Sequence, residues 1–234
     1  MKTIYNIIAV AITFAMVCCS KPLADLNNLN SKNGSYFQSG GDFPFSGPVI
    51  SSYESGQTMI RGNITDGLKD GKWIKWYDNG QKEYEKHYKK GKLSGPYTSW
   101  WENGNKWSEN SYKNGIVVGK SLSWYKNGQK KDEGNFINGK EDGLWTGWWE
   151  SGQKWSEDFY KEGILNGTVK KWHENGQIMV EGTVLNGIDE GVWKNWWENG
   201  TQSYEGIYKN GDLIKLIGRW NEDGTEKKDA FWWE

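Results

Sequence analysis

Cysteine is nearly missing from this chain: its 234 residues hold two, adjacent at Cys18 and Cys19. The rest is left without a disulfide framework and without a cysteine metal site. Histidine is equally scarce. His87 and His173 lie far apart, and neither has a cysteine or second histidine beside it, so both read as ordinary residues and not as ligands or bases. Neither sign of charge dominates, since 29 Lys and Arg against 30 Asp and Glu give a net charge of −1. No global field therefore draws in nucleic acid or an anionic membrane. No segment carries an apolar 3.6-residue period, which argues against helices. "GNITDGLKDGK" (62–72) is glycine-rich but lacks the following helix that a phosphate loop needs. Carboxylates recur in columns, so no single pair stands out as general acid and base. The expectation is a non-enzyme with no catalytic residues, no metal and no cofactor.

Long apolar runs are limited to one. "IIAVAITFAMV" (Ile7–Val17) has eleven residues, too few to span a bilayer. It follows Lys2 and ends on Cys18-Cys19-Ser20 without the small-x-small pattern of ordinary signal cleavage. A hydrophobic run that stops on cysteine resembles a bacterial lipoprotein signal, and that resemblance implies lipidation at Cys19 or, alternatively, Cys18. Residues 1–19 are thus expected to be a signal peptide, with export to the cell envelope and membrane attachment through the lipid alone. Residues 20–52, with "LNNLNSKNGSYFQSGGDFPFSGP", have no sustained period and read as a flexible tether, in which Phe43, Pro44 and Phe45 could tuck against the domain that follows.

What the chain has in excess is tryptophan and glycine, 17 and 31 residues. Few aliphatics accompany them, so flat rings, not a thick aliphatic core, must hold the structure. Comparing the sequence with itself fixes the architecture. From Tyr53 it divides into seven units of 24 residues without insertion or deletion, beginning at Tyr53, Tyr77, Trp101, Tyr125, Trp149, His173 and Trp197. A partial eighth starts at Asn221, which makes residues 53–234 one repeat domain. Position 4 of every unit is glycine: Gly56, Gly80, Gly104, Gly128, Gly152, Gly176, Gly200 and Gly224. Position 24 is always tryptophan: Trp76, Trp100, Trp124, Trp148, Trp172, Trp196 and Trp220. Position 15 is also glycine throughout the full units.

Each fixed position has a mechanical reading. Asn, Ser or Asp before the position-4 glycine predicts a two-residue hairpin turn with both residues at positive φ. A second, slightly longer turn is expected at positions 14–15, and strands at roughly positions 5–13 and 19–2. The fold class is therefore all-β: an elongated, single-layer antiparallel meander of about fifteen strands, roughly 70 Å long at the usual strand spacing. The two-residue turn places position 24 opposite position 7 of the next unit, pairing Trp100 with Trp107 and Trp148 with Trp155.

Three stretches carry a family resemblance. "DEGNFINGKEDGLWTGWWESG" (132–152), "VEGTVLNGIDEGVWKNWWENG" (180–200) and "YEGIYKNGDL" (204–213) look like MORN repeats, with Glu-Gly, an aromatic, Asn-Gly and a further Gly in register. The form with "WWENG" most resembles a bacterial variant, the YwqK family, whose members are named as antitoxins. Departures fall at position 10, where Lys86, Asn110 and Asp158 replace glycine, and in "LIKLIGRW" (213–220).

A tryptophan present in every unit is a lattice requirement, so position 24 and the position-4 glycines are expected to be structural. Position 1 varies, with Trp101, Trp149 and Trp197 in alternate units and Tyr125 and His173 elsewhere. Trp101, Tyr125, Trp149 and Trp197 are accordingly the candidate binding face. Glu at position 9 with Lys at positions 6 and 13 reads as a solvated charge ladder that discourages edge aggregation. The function expected is protein–protein interaction at the envelope. The family resemblance implies a toxin as the partner, for an antitoxin or immunity protein. The alternatives are a carbohydrate or cell-wall module that binds a glycan through the variable Trp, and, on the MORN resemblance, lipid-headgroup binding.

Overall fold

The computed structural model describes residues 21–227. From Gly47 onward the chain forms one sheet in which each strand pairs antiparallel with the next along the sequence. Every full unit contributes an eight-residue outgoing strand, such as Lys106–Lys113, and a return strand such as Ile116–Trp124. In the fourth unit the return is split into Lys140–Glu141 and Gly143–Trp148. The single-layer antiparallel meander read from the repeat is the fold observed.

The two turns exchange the roles expected of them. At positions 14–15 the chain reverses in two residues with positive φ at both, as at Asn114 (53°) and Gly115 (86°), and Lys113 pairs directly with Ile116. This is the tight hairpin turn whose twist suits paired strands. The return strand therefore starts at position 16 and not at position 19. At positions 1–4 only the glycine has positive φ, 88° at Gly104. There the Gly104 N–H donates to the Trp101 carbonyl at 2.9 Å, and the Trp101 N–H to the Asn105 carbonyl at 2.8 Å. That is a longer loop closing on a glycine bulge. The Asn103 side chain accepts from the Asn105 N–H at 3.1 Å, which accounts for asparagine there without requiring a positive φ.

The longer loop is followed by a one-residue register shift, so Trp148 pairs with Lys154 and Gly147 with Ser156. Residue 155 is the unpaired bulge residue. A slip of one residue moves a side chain to the other face, and the expected Trp148–Trp155 and Trp100–Trp107 pairs do not form. Trp155 packs tilted against Trp149, with centroids 5.9 Å apart and planes at 56°, and Trp107 against Trp101 at 5.0 Å and 34°.

The segment expected to be a flexible tether is folded from Ala24 on. Strand β1 (Ala24–Asp25) lies parallel to β4 (Gly47–Ser52), and β2 (Asn30–Lys32) with β3 (Ser35–Phe37) makes a separate hairpin. β4 occupies the place of a return strand in a unit ahead of the first. Its Val49 is fully buried with Ile64 and Trp73, and Leu26, Leu29, Tyr36 and Phe45 pack around them. The apolar side chains of 24–45 find their core on the first repeat, which no local periodicity could announce. Phe45 tucks in as expected, whereas Phe43 is 78% exposed. The signal-peptide expectation, with Cys18 and Cys19, lies outside the described residues.

Candidate functional site: an aromatic face with open troughs

Because side chains alternate along a strand, each unit shows two different surfaces. On one, the position-24 tryptophans lie beneath lysines of position 6. Lys82 sits 5.4 Å from the Trp100 ring, Lys106 5.6 Å from Trp124, Lys130 4.9 Å from Trp148 and Lys154 5.4 Å from Trp172. The same lysines pair with Glu of position 9, which also takes Lys of position 20: Glu133 bonds Lys130 and Lys120, each at 2.6 Å. These two lysines hold the Glu133 carboxyl below its ordinary range. The expected partner at position 13 is replaced by position 20, which the register brings diagonally across. This face pairs its lysines with its own glutamates, while Leu144, Phe159 and Val192 on it stay 41%, 40% and 45% exposed and hollows of about 330 and 220 Å³ open beside Glu109 and Glu181.

The other face carries positions 1, 7, 8, 10, 12, 21 and 23. Its variable position-1 residues have a lattice task. The Tyr125 hydroxyl donates to the Trp148 carbonyl at 2.8 Å. The indole N–H groups of Trp101, Trp149 and Trp197 donate to the carbonyls of Trp124, Trp172 and Trp220 at 3.0 to 3.2 Å. His173 Nε2 meets the Trp196 carbonyl at 3.0 Å. Position 1 therefore alternates among Trp, Tyr and His because each ends in a donor that latches one hairpin to the next. Their ring faces are partly taken as well: Trp107 lies against Trp101 and Trp155 against Trp149, and Lys131 and Lys227 lie 5.8 and 5.5 Å from the rings of Tyr125 and Trp197. The Asn side chain at position 3 bonds a neighbouring carbonyl in the same way, as Asn103 does to Lys126 at 2.8 Å. On the opposite rim the Gly115 N–H reaches the Leu93 carbonyl at 2.7 Å.

The sequence reading missed the column that shapes this face. Position 21 holds Trp73, Trp145 and Trp193 in three of the four units that carry glycine at position 10, as Gly62, Gly134 and Gly182, and the seventh unit sets Gly206 with Ile217. A β-carbon on Gly62, Gly134 or Gly182 would overlap the indole lying flat across it. Tyr88 stands edge-on to Trp73, Phe136 and Tyr160 flank Trp145, and Tyr208 flanks Trp193 at 5.1 to 6.5 Å. The co-occurrence of Gly at 10 with Trp at 21 was the available signal.

Where position 10 is not glycine, the flat indole is absent and a polar side chain stands in its place. Asn110 accepts from the Ser121 hydroxyl at 2.7 Å. Lys86 places its ammonium 3.9 Å from the Tyr84 ring and 4.8 Å from Tyr97. Burial lowers the Lys86 pKa, and burial raises that of the Tyr84 phenol to about 12. Asp158 lies directly between Trp145 and Val169 on the flanking strands. It is bordered by two hollows. One, about 290 Å³, is lined by Trp145, Trp155, Tyr160 and Lys171, with Asp132 and Glu141. The second, about 260 Å³, has Lys171, Val184, Asp189 and Trp193 in its wall. None of the ion pairs among the described residues includes Asp158. Burial raises its pKa, opposed by the Lys171 charge and the Ser156 hydroxyl. The indole N–H groups of Trp145 and Trp193 are buried without a partner, one bordering each hollow. Among the described residues no three His, Cys, Asp or Glu gather as metal ligands would.

Among curated proteins none matches this chain. Six segments, 69–90, 93–114, 117–138, 141–162, 165–186 and 189–210, match the family model described as MORN repeat variant. Each runs from position 17 of one unit to position 14 of the next, so the family's unit is the hairpin around the longer loop, bounded by the tight turns. These six tandem matches take in more than half of the sequence, and the chain belongs to the MORN repeat variant family.

Proposed function

We propose that this chain is an interaction protein without chemistry of its own, exported and lipid-anchored at Cys19 or Cys18, that holds another protein against its aromatic face. The observation that carries the reading is the make-up of the aromatic face: the indole pairs Trp101–Trp107 and Trp149–Trp155, with Trp107 47% exposed, stand along it beside the two hollows that border Asp158. Repeat sheets characteristically offer long surfaces of this kind. The specific version is an antitoxin or immunity role at the envelope, which rests on the YwqK resemblance.

The test is affinity capture by the whole chain, followed by titration of the purified partner. A one-to-one complex that weakens at least about ten-fold in Trp155→Ala, a loss typical of interface aromatics, is the expected result. Equal affinity in that variant, or a partner held only by Lys120→Ala-sensitive contacts on the ionic face, overturns it. A toxin partner would in addition be neutralised on co-expression. Incorporation of a labelled fatty acid, lost in Cys19→Ala or Cys18→Ala, tests the anchor, and no incorporation in the wild type removes it. A glycan is the second reading, favoured by the tilted indole pairs Trp101–Trp107 and Trp149–Trp155, of which Trp107 is 47% exposed.

A further inference from the structure

The aromatic face is electrically uneven along its length. Towards the N-terminal end it is basic and self-filled. Lys69 lies 4.5 Å from the Trp73 ring and 5.5 Å from Tyr88, and Lys86 lies over Tyr84 and Tyr97. In the fifth unit the arrangement is inverted. The position that holds Lys86 in the second unit holds Asp158, and the hollow beside it has three carboxylates, Asp132, Glu141 and Asp158, against the single ammonium of Lys171. Asp132 accepts from the Ser123 hydroxyl at 2.8 Å, and Lys171 rests 5.7 Å from the Trp155 ring. Asp158 has aromatic walls around it and no ion pair.

We propose that the trough at Asp158 receives a lysine side chain of the protein partner, with the ammonium between the Asp158 carboxylate and the rings of Trp145, Trp155 and Tyr160. The molecule shows the interaction within itself, since Lys86 and Lys69 already place their ammonium groups on the rings of the same column. A cation over an aromatic face is attracted by the ring quadrupole, more so when desolvated, and a carboxylate in the same pocket adds a charge-assisted hydrogen bond. In the free protein the half-buried Asp158 carboxylate has only the Lys171 charge, at longer range than an ion pair, and the Ser156 hydroxyl to offset its desolvation, and an incoming ammonium would add the direct ion pair it lacks. A neutral sugar would stack on the same rings and donate hydroxyls to the carboxylate, but it brings no charge to a hollow with three carboxylates and one ammonium, and that imbalance favours the cation. The proposal rests on the protein-binding reading above and names the chemistry of the partner's contact.

The test uses the whole chain in mild detergent with an acetylated, amidated pentalysine peptide as probe. Indole N–H resonances are followed by NMR and assigned with Trp145→Phe and Trp155→Phe. Pentalysine is expected to shift those two indoles, with affinity falling about ten-fold in Asp158→Asn, the size of a lost charge-assisted contact, and unchanged in Lys86→Gln. The same peptide with acetylated side chains is expected not to bind. Undisturbed indole resonances elsewhere confirm that Asp158→Asn is folded, and Asp158→Glu is expected to retain binding. No shift at either indole, equal affinity in Asp158→Asn, or equal binding of the acetylated peptide overturns the proposal. So does a neutral chitooligosaccharide that shifts the same indoles in wild type and Asp158→Asn alike, which would assign the trough to sugar. A captured partner whose affinity ignores Asp158→Asn but falls in Trp155→Ala would remove this contact while leaving the protein-binding reading intact.

Discussion

Gly134→Ala exposes the principle on which this sheet is packed. The new methyl would occupy the space of the Trp145 six-membered ring, and backbone on both sides is held by ladder hydrogen bonds, so the indole must lift. A tryptophan buries about 150–250 Å². Losing the half that faces the sheet, about 100 Å², costs about 2.5 kcal/mol at 25 cal/mol per Å². Phe136 and Tyr160, at 5.1 and 6.4 Å, lose part of their edge contacts as well, about 0.5–1.5 kcal/mol for such a pair. The expected destabilisation is therefore about 2–4 kcal/mol. Trp145→Val should cost a similar amount alone, yet the double variant should cost much less than the two together. The fifth unit already pairs a non-glycine residue with valine there, as Asp158 and Val169. Urea unfolding of the four members of the cycle measures the coupling, expected at about 1–3 kcal/mol for residues in contact. Gly143→Ala serves as the control, because nothing lies within 4 Å of its added carbon and only its φ of 84° is strained. Additive losses at Gly134 and Trp145, or a Gly134→Ala cost no larger than the control, would refute the packing argument.

The non-glycine residues Lys90 and Glu162 hold φ values of 49° and 52° in tight turns where other units have Asn or Asp; Lys90→Asn and Glu162→Asn should each stabilise by about 0.5–1 kcal/mol, read from urea midpoints. Trp149→Phe keeps a ring against Trp155 but removes the donor to the Trp172 carbonyl; a loss of about 0.5–1.5 kcal/mol is expected, well below that of Trp149→Ala. The Glu133 carboxyl is held below its ordinary pKa by Lys120 and Lys130, so its stabilisation is present above the unfolded-state pKa and fades as pH falls through the folded one. Glu133→Gln should remove that acid-limb dependence, visible in melting temperature against pH, while changing neutral stability by less than about 1 kcal/mol. Val49→Ala should cost about 1.5–3 kcal/mol and lower the melting temperature, because the side chain is fully buried between the N-terminal cap and the first repeat; no change would mean that residues 24–52 are dispensable.

The period and the meander were legible because invariant glycine columns mark every reversal of the chain. Turn type was not, since Asn-Gly fits both a two-residue turn and a longer loop closing on a glycine bulge. The discriminating signal was across the strands: Lys recurs at position 6 as Lys82, Lys106, Lys130 and Lys154, paired with Trp76, Trp100, Trp124 and Trp148. That pairing is possible only with the bulge, and it carries Trp107 and Trp155 to the other face. The N-terminal cap was hidden for a different reason. β1 to β3 are two or three residues long, and Ala24 and Tyr36 of β1 and β3, with Leu26 and Leu29 between them, pack on a repeat that follows them, so neither length nor periodicity betrays them. Only "GPVISS" (47–52) could have been recognised, by laying it over positions 19–24 of a unit.

Strict 24-residue spacing follows from how the hairpins are joined. The position-1 donor, the position-3 asparagine and the position-15 glycine N–H each reach a neighbouring hairpin at both rims of the sheet. One inserted residue would break all three sets at once, so variation is confined to side chains. Within the side chains, position 24 is tryptophan throughout, under a lysine in four units, and position 1 is fixed by its donor, which leaves positions 10 and 21 as the place where units differ without loss of the lattice. Each glycine–tryptophan unit there is closed and flat; of the exchanged units, the second is filled by Lys86 and the third by the Asn110–Ser121 bond, while the fifth leaves hollows open at Asp158. The order of closed, filled and open units along the chain thus writes a pattern of troughs on an otherwise uniform sheet. Asp158, the one acidic residue among the exchanged positions, is where that pattern is best fitted to recognise a partner by charge.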